Sequence, residues 1–218
     1  MPNKEENQYL ELSLQLLKID NLPKLEVLPQ WLQAFANTLQ HLEIEDCCNF
    51  TALPEWLPHL KSLQTLRIKD CPMFSSLPKG MQELTALREI QIRNCEELSL
   101  TDKEENQAIK LSLRWLTIEK LPKLEVLPQW LQVSANTLQH LEIADCCNFT
   151  ALPEWLPHLK SLQTLRIKYC PVFSSLPKGM QDLTTLREFQ IEDCPKLSRK
   201  CREEVRHKID HVPNIDFD

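Results

Sequence analysis

The residues with the most chemical potential in this chain are its cysteines and two histidine–carboxylate pairs. Cys47-Cys48 and Cys146-Cys147 are adjacent thiols of the kind that bind soft metals. A zinc clamp needs its two thiols separated by about two residues, so that both can reach one tetrahedral centre. Adjacent cysteines do not meet that need, and no metal is expected. His41 with Glu43, and His140 with Glu142, are spaced by two, which puts each pair on one face of a strand. Such a pair can move a proton, but neither nucleophile nor oxyanion donor accompanies it, so solvated surface histidines are the simpler reading and no enzyme is expected. No Gly-x-x-x-x-Gly-Lys-Ser/Thr phosphate loop is present, and no cofactor is expected.

The elements that carry these residues repeat. Leu63-x-x-Leu66-x-Ile68-x-x-Cys71 has the same form as the stretches ending at Cys47, Cys95, Cys146, Cys170 and Cys194, and two variants end in Leu22 and Leu121. About eight copies at a spacing of roughly 24–26 residues are a solenoid period. Within a copy, Leu66 and Ile68 leave one side of a short strand while Thr65, Arg67 and Lys69 leave the other. The small, weakly polar cysteine suits the turn that ends the strand. One copy cannot bury its own apolar face, whereas stacked copies can. The fold class that follows is α/β: a leucine-rich-repeat solenoid curved as a horseshoe, with a parallel β-sheet on the concave face and short helices, 3₁₀ turns and loops on the convex face. Pro54 and Pro78 are expected to start those helical turns, and Pro58 to keep them short. Trp31, Trp56, Trp130 and Trp155 recur with the repeat and are expected in the core.

The chain has 218 residues and a formal net charge of −6. That balance, with no basic stripe, argues against nucleic acid as a partner. Met1 to Asn7 contains no apolar run, so no secretory signal is read, and no stretch has the length and apolarity of a membrane span. Nine cysteines, most of them locked to the repeat, fit a reducing compartment, the cytoplasm or the nucleus, better than a disulfide framework.

A second repetition lies above the first. Residues 4–100 recur at 103–199 with an offset of about 99 and roughly four-fifths identity. The whole is read as a single domain, 1–218. The junction from Ser99 to Lys110 is expected to be a hydrated loop on the outer arc. Residues 1–11 contain no capping element, so the edge of the first repeat is expected either to be poorly ordered or to be covered by another domain or chain. Ser198 to His207 is expected to form an amphipathic helix with Ser198 near its N-cap, and 198–218 to form a C-terminal cap.

The stretch Leu53 to Pro72, recurring as Leu152 to Pro171, reads Leu-Pro-x-Trp-Leu-x-x-Leu-x-Ser-Leu-x-x-Leu-x-Ile-x-x-Cys-Pro. It is followed by Ser-Leu-Pro-x-Gly-Met-x-x-Leu-Thr-x-Leu, from Ser76 to Leu87 and again from Ser175 to Leu186. Together these closely resemble the C-terminal leucine-rich-repeat region of plant nucleotide-binding disease-resistance proteins of the coiled-coil class. The tail from Cys194 to Ile215 resembles the end of such receptors, although the family's usual glycine and tryptophan are missing between Cys201 and Lys208. The resemblance implies an immune-recognition module that binds a pathogen effector or a guarded host protein. It also implies a nucleotide-binding domain as a further partner, against the N-terminal edge. The other reading is a free-standing leucine-rich scaffold or decoy without a switch.

Binding is expected on side chains that leave the concave side of the strands. These are Lys18; His41, Glu43 and Glu45; Arg67 and Lys69, with Asp70 at the rim; Glu89, Gln91 and Arg93; Trp115, Thr117 and Glu119; His140 and Glu142; Arg166 and Lys168, with Tyr169 at the rim; and Gln190 and Glu192. Charges of both signs suit a polar protein partner. The two blocks differ at about half of some sixteen inner-arc and rim positions and at a much smaller share elsewhere. Outer-arc Glu55, His59, Lys61, Gln64 and Lys79 recur unchanged. Trp115 and Tyr169 are the expected anchors, with packing under the junction loop as the alternative for Trp115.

Overall fold

A computed structural model describes residues 13–100 and 111–217. The expectations for residues 1–11, and for the junction beyond Leu100, fall outside the described residues.

Eight five-residue strands follow the repeat: β1 Leu16–Asp20, β2 His41–Glu45, β3 Thr65–Lys69, β4 Glu89–Arg93, β5 Trp115–Glu119, β6 His140–Ala144, β7 Thr164–Lys168 and β8 Glu188–Glu192. A ninth, β9 Asn214–Phe217, extends a single parallel sheet in which every strand pairs with its sequence neighbour. The register has no slip: Leu42, Leu66 and Ile90 align, as do Ile44, Ile68 and Ile92. Equivalent apolar side chains therefore stack into columns. Leu66 and Ile68 are fully buried, and each such side chain stabilises by about 1.5–3 kcal/mol relative to exposure.

Each strand ends in the same way. Asn21, Asp46, Asp70, Asn94, Lys120, Asp145, Tyr169 and Asp193 all have φ near +50°. The N–H groups of the first seven still donate to the next strand, as in Asp46 to the Lys69 carbonyl at 3.2 Å and Tyr169 to the Glu192 carbonyl at 2.9 Å. The left-handed residue thus keeps the ladder while turning the chain off the sheet. The cysteine that follows donates its thiol to the carbonyl two residues back, at 3.2 Å for Cys71 to Lys69 and 3.3 Å for Cys146 to Ala144. Three residues later a phenylalanine, or a leucine at Leu98 and Leu197, enters the core. Phe50 stacks on Phe74, and Phe149 on Phe173, each at 5.6 Å between ring centroids.

The convex side carries short 3₁₀ segments, including Gln30–Phe35, Leu57–His59 and Met81–Glu83. Pro54 and Pro78 do not open them. Leu57 donates to the Pro54 carbonyl at 2.9 Å, so Pro54 accepts the first turn from outside it, and Pro58 lies inside the segment. Gly80, at φ 79°, reverses the chain before Met81.

The expectation for the tryptophans holds in part. Trp56, Trp130 and Trp155 are partly buried against the core, but Trp31 is 61% exposed. The second block supplies the reason. Trp31 belongs to the first described rung, whereas Trp130 belongs to the rung of β5, which stacks on that of β4. Likewise Leu22 is 49% exposed, while Leu121, its counterpart, is fully buried. A rung is covered by the rung before it.

After β8, helix α1 spans Arg199–Lys208, and the Ser198 hydroxyl accepts from the Cys201 N–H at 3.2 Å. Val205 of the helix is buried, as are Ile209 and Val212 after it, and Phe217 meets Phe189 edge-on at 5.3 Å.

Candidate functional site: the concave strand face

Strand alternation puts residues one, three and five of every strand on the face away from the core. The site residues expected there are all exposed or half-buried: none falls in the core. Thr65 and Ala144, which share that face, are nearly buried at 9% and 8%. Both are short side chains between longer neighbours.

The unslipped register makes lateral neighbours of opposite charges, and they pair. Lys18 meets Glu45 at 2.8 Å and Glu43 at 3.7 Å. Glu43 also receives Lys69 at 3.6 Å and Arg67 at 3.9 Å. Arg67 reaches Glu89 at 2.8 Å, and Gln91 donates to the same carboxylate at 2.9 Å. Arg93 meets Glu119 at 3.4 Å. In the second block Arg166 binds Glu188 at 2.7 Å and Glu142 at 3.7 Å, and Lys168 binds Glu192 at 3.2 Å. Gln190 bridges toward Asp216 at 3.4 Å. At the rim, Asn94 donates to Asp70 at 2.7 Å, and the Tyr169 hydroxyl donates to Glu192. These contacts shift the groups in the expected sense. The hydrogen bond to Glu45 raises Lys18, and the bond from Lys18 lowers Glu45. The bond from Tyr169, then that from Lys168, lowers Glu192.

Between β5 and β6 the described residues show no ion pair. Trp115 stacks on His140 instead, with ring centroids 4.1 Å apart, and its indole N–H donates to the Thr117 hydroxyl at 3.0 Å. Trp115 remains 39% exposed. Burial, and secondarily the nearby Arg166 charge, hold His140 below its ordinary pKa against the opposing effect of Glu188. On the concave face the His140 ring packs against Trp115.

The rung thiols are sequestered. Burial pushes Cys71 up to about 11, and Cys95 and Cys146 up to about 12. Cys48 and Cys147 point outward. Among the described residues no three histidines, cysteines or carboxylates gather as a metal site, and no helix is long and apolar enough to cross a membrane.

Glu188, Asn94 and Lys120 stand at inner-arc and rim positions that the repeat marks in the sequence, and Glu188 holds Arg166 as Glu89 holds Arg67. One participant was not expected. Asp216 reaches the face through β9, whose only sequence signal is the short alternation Asn214-Ile215-Asp216-Phe217.

A parallel strand ladder with a polar face outward and a leucine–isoleucine core inward defines a leucine-rich-repeat protein, a class of scaffold that generally serves protein interaction. The chain belongs to the family described as plant disease resistance protein RPS2-like, leucine-rich repeats, whose model matches residues 29–171. Among solved structures it is similar to the leucine-rich repeat domain of the type III effector XCV3220 (XopL), at 23% identity and a TM-score of 0.61, over 84% of this chain and 70% of that one. It also aligns with the Leptospira interrogans LRR protein LIC12759, at 19% identity over 94% of this chain and 72% of that one. The first similarity shows the fold; the second, with a TM-score of 0.37, adds nothing to it. No curated protein sequence matches the chain.

Proposed function

We propose that this chain is a protein-recognition module of plant innate immunity that binds a pathogen effector or a guarded host protein through its concave strand face. It acts as one domain, with the duplicated blocks 4–100 and 103–199 presenting a continuous surface and 198–218 closing the C-terminal end. It works in the cytoplasm or the nucleus, and its chemistry is binding rather than catalysis. The observation that carries this reading is the distribution of change between the blocks. Concave and rim positions differ, as in Leu16 to Trp115, Glu45 to Ala144 and Asp70 to Tyr169, while the exposed convex residues Glu55 and Lys61 recur unchanged. Exposure alone would let both faces drift. Family membership supports the immune setting.

The test is affinity capture from plant extract, with and without pathogen proteins. The baits are the chain and a variant carrying Arg67→Glu, Trp115→Ala, Arg166→Glu and Tyr169→Ala, with folding of both verified by circular dichroism. A protein retained by the first and lost by the second is the expected result. Equal retention contradicts the concave assignment.

A further inference from the structure

Resting on the concave-face reading above, we propose that a recess across β1–β4 of the first block seats one aromatic side chain of the partner protein, packed on His41 above Leu16. The recess has a volume of about 290 Å³, and its lining includes Leu16, His41, Glu43, Thr65, Arg67 and Glu89. Pockets that hold whole small molecules are typically about 300–1,000 Å³, so a space of this size suits a single large side chain. Leu16 is 61% exposed at its edge. Among the twelve outward strand positions of the first block, three on each of four strands, it is the single apolar residue.

What the second block holds in the same place argues for the occupant. Its lateral row Trp115, His140, Thr164 and Glu188 matches Leu16, His41, Thr65 and Glu89 at every place but the first. Arg166 binds Glu188 there as Arg67 binds Glu89. In that row the indole stacks on the imidazole, with ring centroids 4.1 Å apart and planes 28° from parallel. This histidine position therefore takes a ring against it in otherwise matching surroundings. Among the described residues His41 has no such ring partner. Leucine is shorter than tryptophan, so the first block fills only the base of the place that the indole fills in the second. The charges around the recess are already paired, Arg67 with Glu89 at 2.8 Å and with Glu43 at 3.9 Å. A charged side chain would compete with those pairs. A neutral ring leaves them intact, covers Leu16, and finds both an imidazole and a guanidinium charge in the lining. Aromatic anchors seated in such pockets are frequent energetic centres of interfaces.

The probe is a phage-displayed library of random peptides selected on the full chain. Affinities of the selected peptides, and of the same peptides with each aromatic residue changed to alanine, are measured for the chain, for Leu16→Trp and for His41→Ala. Circular dichroism melts accompany each variant. Leu16→Trp builds in the first block the ring stack that the second block already holds, so it fills the recess and its melting midpoint should not fall. Selected peptides are expected to carry tryptophan, tyrosine or phenylalanine and to lose at least about tenfold in affinity for either variant. Their alanine forms are expected to bind the chain and Leu16→Trp equally, a coupling that places the aromatic side chain in the recess. Peptides without an aromatic residue, or no selected peptide, overturn the proposal. Peptides that bind Leu16→Trp and His41→Ala undiminished, but are lost by the concave variant of Arg67, Trp115, Arg166 and Tyr169, also overturn it and leave the concave reading standing. Undiminished binding by all three variants overturns the two together.

Discussion

Tyr169 turns its backbone into the left-handed region, at φ 53°, to leave the strand while its N–H stays in the ladder. That conformation costs an ordinary L residue about 1–2 kcal/mol, and asparagine less. Tyr169→Asn should therefore raise the melting midpoint by about 2 °C, read by calorimetry. A lower midpoint would mean that the exposed hydroxyl bond to Glu192 outweighs the backbone gain. His140 sets a pH dependence. Its folded pKa is lowered, so between the folded and unfolded values the unfolded chain binds more protons, and stability falls as pH drops below about 6.5. The unfolding free energy of His140→Gln should decline less between pH 7 and 5. Identical curves would remove His140 from the balance. The sequence made the alternation of these residues readable. It hid the backbone sign at the rim, because asparagine and aspartate suit any turn, and only Lys120 and Tyr169 show how strictly the position is imposed.

A rung is a strand, a left-handed turn, a buried thiol and an aromatic or leucine plug, closed by a 3₁₀ return. The plug contributes most per residue where plugs stack. Phe74 is fully buried against Phe50, so Phe74→Ala should cost about 3–5 kcal/mol in urea unfolding. A cost under about 1 kcal/mol would show that neighbouring rungs collapse into the space. The strand elements were legible because a period of two inside a period of about 24 admits one register. The return segments were less so. Pro54 reads as a helix start, yet its carbonyl accepts the turn that begins at Leu57. Trp31 reads as core from its repeat position, and only the stacking order shows that the first described rung leaves it exposed. β9 was not expected, because four residues after a proline carry too little pattern.

At the scale of the whole molecule, nearest-neighbour stacking lets one face change without disturbing the other. The two blocks share their plugs, most of their column residues and most of their convex polar residues, and both keep concave ion pairs, while Leu16 and Asp70 of the first block give way to Trp115 and Tyr169 in the second. The candidate site was legible as a set of positions. Its inner organisation was not, since ion pairing depends on which rungs stand side by side. The most direct measurement of the central claim is the affinity of a captured protein for three chains: the native one, the concave variant of Arg67, Trp115, Arg166 and Tyr169, and a convex variant with Glu55, His59, Lys61 and Lys79 changed to alanine. Binding weakened by about a hundredfold or more in the concave variant and unchanged in the convex one is the predicted result. Loss in the convex variant with retention in the concave one would contradict it.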